Sequence, residues 1–247
     1  MIDKNYHLSG SRKIFLNDNY ADCMDFMRRL PEAFEKKEGK AIHEGRNELR
    51  EFHYKNHDFV VKSFCKPNIV NQIVYGLFRS SKAQRSYEYA EMLLRSGIGS
   101  PEPVGYYTER DGLLFRRSYY VCLKSECPYT YADLMQKHFD NEEKILRAIA
   151  YTTAIMHEHG YLHKDYSRGN ILFKETSEGV KVEIIDLNRI RFRNIDVKEG
   201  CKNFDRLPGK DEWWKIMGRT YAERRGFDPE VCYRLIREAA ECSEFNK

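Results

Sequence analysis

The stretch that decides the fold is His163-Lys164-Asp165-Tyr166-Ser167-Arg168-Gly169-Asn170-Ile171-Leu172-Phe173. Before it, residues 142–159 have helical spacing, with Ile145, Ile149, Thr153 and Met156 along one face. After it, Ile171-Leu172-Phe173 starts an apolar strand. A second apolar run, Val182-Glu183-Ile184-Ile185, ends on Asp186, sixteen residues past Asn170. Helix, polar loop and hairpin would therefore bring two carboxylates and an amide together. A carboxylate at 165 can orient a hydroxyl and take its proton. Asn170 and Asp186 offer a neutral and an anionic oxygen, the ligand type that Mg²⁺ prefers. The plain alternative is a solvated loop between a helix and a hairpin, and H-x-D-x-x-x-x-N alone is too short a pattern to exclude it. The helix before, the strand after and the late aspartate separate the two readings.

Outward from this loop, the 247 residues suit one large domain or two small lobes. Forty-two Lys and Arg against thirty-eight Asp and Glu leave +4, a near balance that disfavours a dedicated nucleic-acid binder. With 41% hydrophobic and 13% aromatic residues the chain has ample core material. Mean hydropathy is −0.72, and no apolar run approaches the ~18 residues of a membrane span. The first ten residues lack the apolar stretch of a secretory signal. Seven cysteines are scattered without a C-x-x-C pair, which predicts thiols in a reducing, cytoplasmic compartment.

Toward the N-terminus, residues 22–30 predict a short helix stopped near Pro31. Residues 40–43, 48–54 and 59–64 read as strands, with turns at Gly45-Arg46-Asn47 and Lys55-Asn56-His57-Asp58. Residues 69–78 have helical spacing behind Asn68, and 83–95 form a second helix closed by Gly97. Strands follow at 104–108, 113–115 and 118–123, with Asp111-Gly112 as a turn. The polar stretch 124–130 marks a boundary. Beyond it come helices at 131–138 and 142–159, the latter capped by Asn141, then the hairpin, then mostly helix. In Asp228-Pro229-Glu230 the residues suit N-cap, N1 and first-turn acid of a terminal helix. Strands first and helices later make an α+β pattern in two lobes.

With Val60-Val61-Lys62 on a strand upstream, the layout of His163 to Phe173 and Asp186 resembles the protein-kinase-like superfamily. It is most similar to the lipopolysaccharide core kinases, which phosphorylate Kdo or heptose. Gly45-Arg46-Asn47, Gly97-Ile98 leading to Pro101-Glu102-Pro103, and Ile184-Ile185-Asp186-Leu187-Asn188 extend the likeness over nearly residues 40–195. The resemblance implies a bilobal fold with a small β-rich N-lobe (1–123, with an N-terminal helical extension), a hinge at 124–130 facing adenine, and a mainly helical C-lobe (131–247). It implies ATP in the cleft and Mg²⁺ held by Asn170 and Asp186. Lys62 would contact phosphates and Glu88 would orient it, Glu91 being the other carboxylate in range. Gly45 would lie in a phosphate-cradling turn, where a single glycine is otherwise just a turn residue. Asp165 would be the catalytic base and His163 a brace.

The chain departs from the protein-kinase pattern. Asp186-Leu187-Asn188 lacks the usual Phe-Gly, only Gly45 stands for the glycine-rich loop, and no A-P-E closes an activation segment. Arg168 is a candidate for the cation that Ser/Thr kinases supply from the position held here by Ser167. Without a peptide platform, a sugar or glycolipid acceptor is expected, with no obligate protein partner. An atypical protein kinase and a nucleotide-binding pseudokinase-like module are the alternatives. Residues 62–95 hold six basic side chains and two acids, the whole of the +4 excess. A solvated basic face is the plainer reading of that segment. Peripheral docking on the inner face of a membrane is the sharper one.

Overall fold

The computed structural model describes residues 5–8, 11–65, 80–111 and 114–243. The predicted helix at 69–78 and the turn at Gly112 lie outside them. The described residues form two compact units, 1–91 with 101–124, and 92–100 with 125–247.

The first unit is built on a seven-stranded antiparallel sheet. Its strands are β1 (Asn5–Leu8), β2 (Arg12–Leu16), β3 (Lys40–Glu44), β4 (Glu48–Tyr54), β5 (His57–Ser63), β6 (Pro103–Asp111) and β7 (Leu114–Leu123), in the order β1-β2-β6-β7-β5-β4-β3. Side chains alternate across it, so neighbours in sequence serve opposite faces. Phe59, Val61, Tyr107, Tyr119 and Val121 join one core with α1 (Met24–Glu35). Tyr106 and Tyr120 join a second, with Phe64 and with Ala83 and Tyr87 of α2 (Lys82–Arg95).

Two expectations change here. Beside the N-terminal helix stand β1 and β2, and Ile14 of β2 pairs with Tyr107 of β6. The helix itself runs through Pro31 to Glu35. A proline inside a helix costs about 3 kcal/mol. Phe26, Met27, Leu30, Ala33 and Phe34 are all buried along α1, and burying one such side chain returns about 1.5–3 kcal/mol, so the face continues past the break.

The second unit holds β8 (Tyr129–Thr130), α3 (Tyr131–Leu134), α4 (Glu142–Glu158), β9 (Tyr161–His163), β10 (Ile171–Thr176), β11 (Gly179–Ile184), β12 (Ile190–Phe192), α5 (Val197–Lys202), α6 (Asp211–Arg225) and α7 (Pro229–Glu241). β11-β10-β8 form one small sheet and β12-β9 another. The predicted face of α4 is buried at Ile145, Ile149, Thr153 and Met156. Asn141 precedes it without a side-chain cap; its amide instead donates to Glu175. The helix predicted over 131–138 is the single turn α3. Asp228 caps α7 by accepting from the Val231 N–H at 2.9 Å, with Pro229 in the first turn. Gly160 ends α4 at φ 74°, and a Cβ there would meet the Arg193 carbonyl oxygen at 2.8 Å. Only glycine fits, and the chain turns there into β9 and the loop that follows. Among the described residues no helix is long and apolar enough to cross a membrane.

Candidate active site

β9 delivers a fully buried His163 to the head of the loop. Its Nε2 bonds the Ile185 carbonyl at 3.0 Å, and its Nδ1 accepts the Asp165 N–H at 3.1 Å. One nitrogen must donate and the other accept, so the ring is neutral with the proton on Nε2. Burial agrees, since it pushes the imidazole below its ordinary range. Three further bonds close the loop. Asn170 Nδ2 donates to the Asp165 carbonyl at 2.8 Å, Asn170 N–H to the Ser167 carbonyl at 2.8 Å, and Ile185 N–H to the Asn170 carbonyl at 3.0 Å. Asp165, Asn170 and the residue before Asp186 are thereby tied into one web.

Asp186 sits at φ 59°, ψ 48°. A non-glycine residue held there costs about 1–2 kcal/mol. Lys37 and Lys55, the other described non-glycine residues with positive φ, are in turns. Asp186 is half-buried, and Asn188 Nδ2 donates to its Oδ1 at 2.5 Å. Strain held in place by a side chain beside a polar loop is the pattern of a functional position.

The Asp165 carboxylate faces two guanidinium groups. Arg206 donates to Oδ1, and Arg189 Nη1 stands 3.4 Å from Oδ2. Arg168, the cation expected from sequence, is exposed and contributes its carbonyl to the Ala132 N–H. Beside Asp165 opens a cavity of about 580 Å³, lined entirely by residues of the second unit.

A second web reaches the loop from behind. Asn203 Nδ2 donates to the His163 carbonyl at 3.0 Å, and its Oδ1 lies 3.0 Å from His157 Nε2. His157 Nδ1 lies 2.9 Å from the Tyr221 hydroxyl. Tyr166 is pinned separately, its hydroxyl 2.6 Å from that of Thr153. Sequence reading found neither Asn203, Arg189 nor Arg206. Arg189 stands three residues past Asp186 and was within reach of the motif. Asn203 and Arg206 lie on a segment that only the fold brings to the loop.

In the first unit Lys62 is on β5, out of phase with Val61, and pairs in register with Tyr120. It therefore lies on the face that α2 covers, its Nζ 5.4 Å from the Phe64 ring centre. α2 carries Glu88, which accepts from Gln84 Nε2 at 2.8 Å. Lys82, at the start of α2, was assigned no role from sequence. Burial first, then the charges of Arg46, Arg85 and Lys62, hold its amine below the usual lysine range. Lys82 thus feels Arg46 of the Gly45 turn, where the atoms nearest a Cβ on Gly45 would be those of the His43 ring. Asn47 Oδ1 anchors that turn by accepting the Cys65 N–H at 3.2 Å.

An antiparallel sheet bearing a helix-facing lysine, with a helical unit bearing this loop and late aspartate, defines a phosphotransferase of the kinase-like fold. The chain belongs to the lipopolysaccharide kinase (Kdo/WaaP) family, whose sequence profile matches residues 32–222. Comparison with curated proteins finds no match. Among solved structures it is similar to "WaaP in complex with acyl carrier protein", at 17% identity and a TM-score of 0.63, over 94% of this chain and 99% of that one. At that identity the likeness shows the fold. Family membership makes the chain a kinase of a lipopolysaccharide-core sugar, with nucleotide- and metal-dependent catalysis.

Proposed function

We propose that the chain transfers the γ-phosphoryl group of ATP, with Mg²⁺, to a hydroxyl of Kdo or heptose in a lipopolysaccharide core. The observation that carries this reading is the web joining Asp165, Asn170 and Ile185-Asp186. The donor set fits a hard cation. The Asn170 amide nitrogen is committed to the Asp165 carbonyl, which leaves the amide oxygen as the group's ligand atom. Asp186 adds an anionic oxygen, and Mg²⁺ is commonly held by one or two carboxylates plus phosphates and water. When bound, Mg²⁺ neutralises charge on the phosphates. Lys62, oriented by Glu88, contacts phosphate, and the Gly45 turn lends backbone N–H groups. Residues 124–130 face adenine. Asp165 orients the acceptor hydroxyl and takes its proton as oxygen attacks phosphorus. His163 braces the loop and stays neutral. The basic segment 62–95 supports work at the inner face of a membrane, in the cytoplasm, where its acceptor resides.

The test is Asp165→Asn, which keeps the shape and removes the base. With ATP and a Kdo-bearing lipid A precursor, kcat should fall about 10²- to 10⁴-fold with KM for ATP little changed. An unchanged kcat, or wild-type turnover of peptides and of no sugar, refutes the reading.

A further inference from the structure

The cavity beside Asp165 has a charge pattern that the transfer itself does not require. Four cations, Lys164, Arg189, Lys202 and Arg206, stand in its wall. Against them are Asp165, Asp205 and Glu199, the last ion-paired to Arg193. Burial pushes the Asp205 carboxyl up, against the pull of Arg206, Lys202 and Lys164. Four cations against three carboxylates leave the wall one positive charge in excess, with Glu199 further offset by Arg193.

The Asp165 carboxylate is gripped from both sides. Arg206 and Asp165 are 25% and 22% exposed, so their contact is largely screened from water, whereas Arg189 is 62% exposed. The backbone of Arg206 is fixed, since it forms a parallel bridge with Ser167 in the catalytic loop. Its side chain is the adjustable part. In this structure its guanidinium already holds a carboxylate, and a planar two-oxygen group is what a guanidinium fork matches best.

We propose that Arg206, aided by Arg189, is the acceptor-selecting residue, and that it recognises a carboxylate on the acceptor sugar close to the attacked hydroxyl. The acceptor's carboxylate replaces that of Asp165 on Arg206, and Asp165 Oδ1 becomes available to the hydroxyl proton. The hydroxyl oxygen then bonds to the γ-phosphorus of ATP, the bond from that phosphorus to the bridging oxygen breaks, and ADP departs with the electron pair. An acceptor without the anion leaves Arg206 on Asp165 and reacts slowly. This rests on the sugar-kinase reading above and narrows it to a sugar acid.

The experiment compares three soluble acceptors built on one sugar skeleton: the acid, the same sugar with its carboxyl reduced to the alcohol, and the reduced sugar carrying a phosphate. Wild type should favour the acid over the alcohol by about 10- to 100-fold in kcat/KM, the worth of one charge-assisted bidentate contact. Arg206→Gln should collapse that ratio toward one, mainly through KM for the acid, and Arg206→Lys should restore part of it. Arg189→Gln, at an exposed site that leaves folding intact, should lower the ratio by a smaller factor. Equal wild-type rates on acid and alcohol, or an unchanged ratio in Arg206→Gln, overturn the proposal. Preference for the phosphorylated sugar overturns the carboxylate assignment. Turnover of none of the three beside turnover of a peptide overturns the sugar-kinase reading, and the proposal with it.

Discussion

Asn203→Ala cuts the second web at its centre. Its bonds have a forced direction. Asn203 donates Nδ2–H to the His163 carbonyl, so its Oδ1 must accept from His157 Nε2–H. His157 Nδ1 is then the acceptor, and the Tyr221 hydroxyl donates to it, itself receiving Arg225 Nη1–H at 3.1 Å. Alanine leaves two groups without these partners, the His157 Nε2–H and the His163 carbonyl. Both residues are buried, at 2% and 0% exposure. A stranded buried polar group costs about 1–3 kcal/mol, so the pair sums to about 2–6 kcal/mol. Asn203 is itself half-buried and lines the cavity beside Asp165. Water from that side can satisfy one of the two groups, which lowers the expectation to about 1–3 kcal/mol. Urea unfolding followed by tryptophan fluorescence reads this directly, because both tryptophans, Trp213 and Trp214, are on α6 in the same unit. The His163 carbonyl precedes Asp165 by two residues, so kcat should also fall about 10- to 100-fold, the scale of a misplacement near 1 Å. A loss below about 0.5 kcal/mol, typical of an ordinary surface change, would refute the claim that the web bears on stability. An unchanged kcat would refute its role in placing the loop.

Two further outcomes follow from buried polar groups. Burial holds the His157 imidazole down to about 4 from an ordinary 6.5, so the unfolded chain takes up its proton first as pH falls. Stability from this residue is complete above pH 6.5 and declines by about 3 kcal/mol toward pH 4; urea midpoints across that window should flatten in His157→Gln, and an identical slope in both proteins would contradict the assignment. Arg50, 3% exposed, donates to the carbonyls of Lys37, Glu38 and Gly39 and to Glu44 and Glu48. Arg50→Ala should cost about 3 kcal/mol, detected as a lower thermal midpoint at pH 7, and a loss under about 1 kcal/mol would show that water replaces those bonds.

How much of this was legible in the sequence depended on the range of the cause. β4 is Glu48–Tyr54, the predicted 48–54, because alternation and flanking turns are local signals. α4 was legible for the same reason, its apolar spacing persisting over four turns. The path through Pro31 was not, since the burial that outweighs the proline comes from Phe52, Phe59 and Tyr119, far along the chain. Nor was β2, a five-residue strand whose partner toward the body of the sheet, β6, begins some ninety residues later. In the site the same division holds. Residues of the loop could be named from their spacing. Asn203 and Arg206 could not, because what matters about them is a carbonyl and a carboxylate reached across some forty residues.

The two webs also divide the labour of charge in the second unit. His163 and His157 are both buried, both bonded at each ring nitrogen, and both pushed below the ordinary imidazole range by burial. Their partners are carbonyls, an amide, a hydroxyl and a main-chain N–H. The two imidazoles that place the loop are therefore neutral at pH 7 and stay so on further rise, and formal charge meets the second web at Arg225, beyond Tyr221. Beside the loop, formal charge stands on Asp165 and Asp186 and on the arginines and lysines of the cavity. Neutral imidazoles can be buried without the desolvation cost that a buried ion would impose. The guanidinium groups on Asp165 stand on the cavity side, where an incoming anion can compete for them. Rigidity and responsiveness are thus assigned to different residues, which is why a neutral substitution at Asn203 should disturb folding and rate together, while one at Arg206 should chiefly change which acceptor is used.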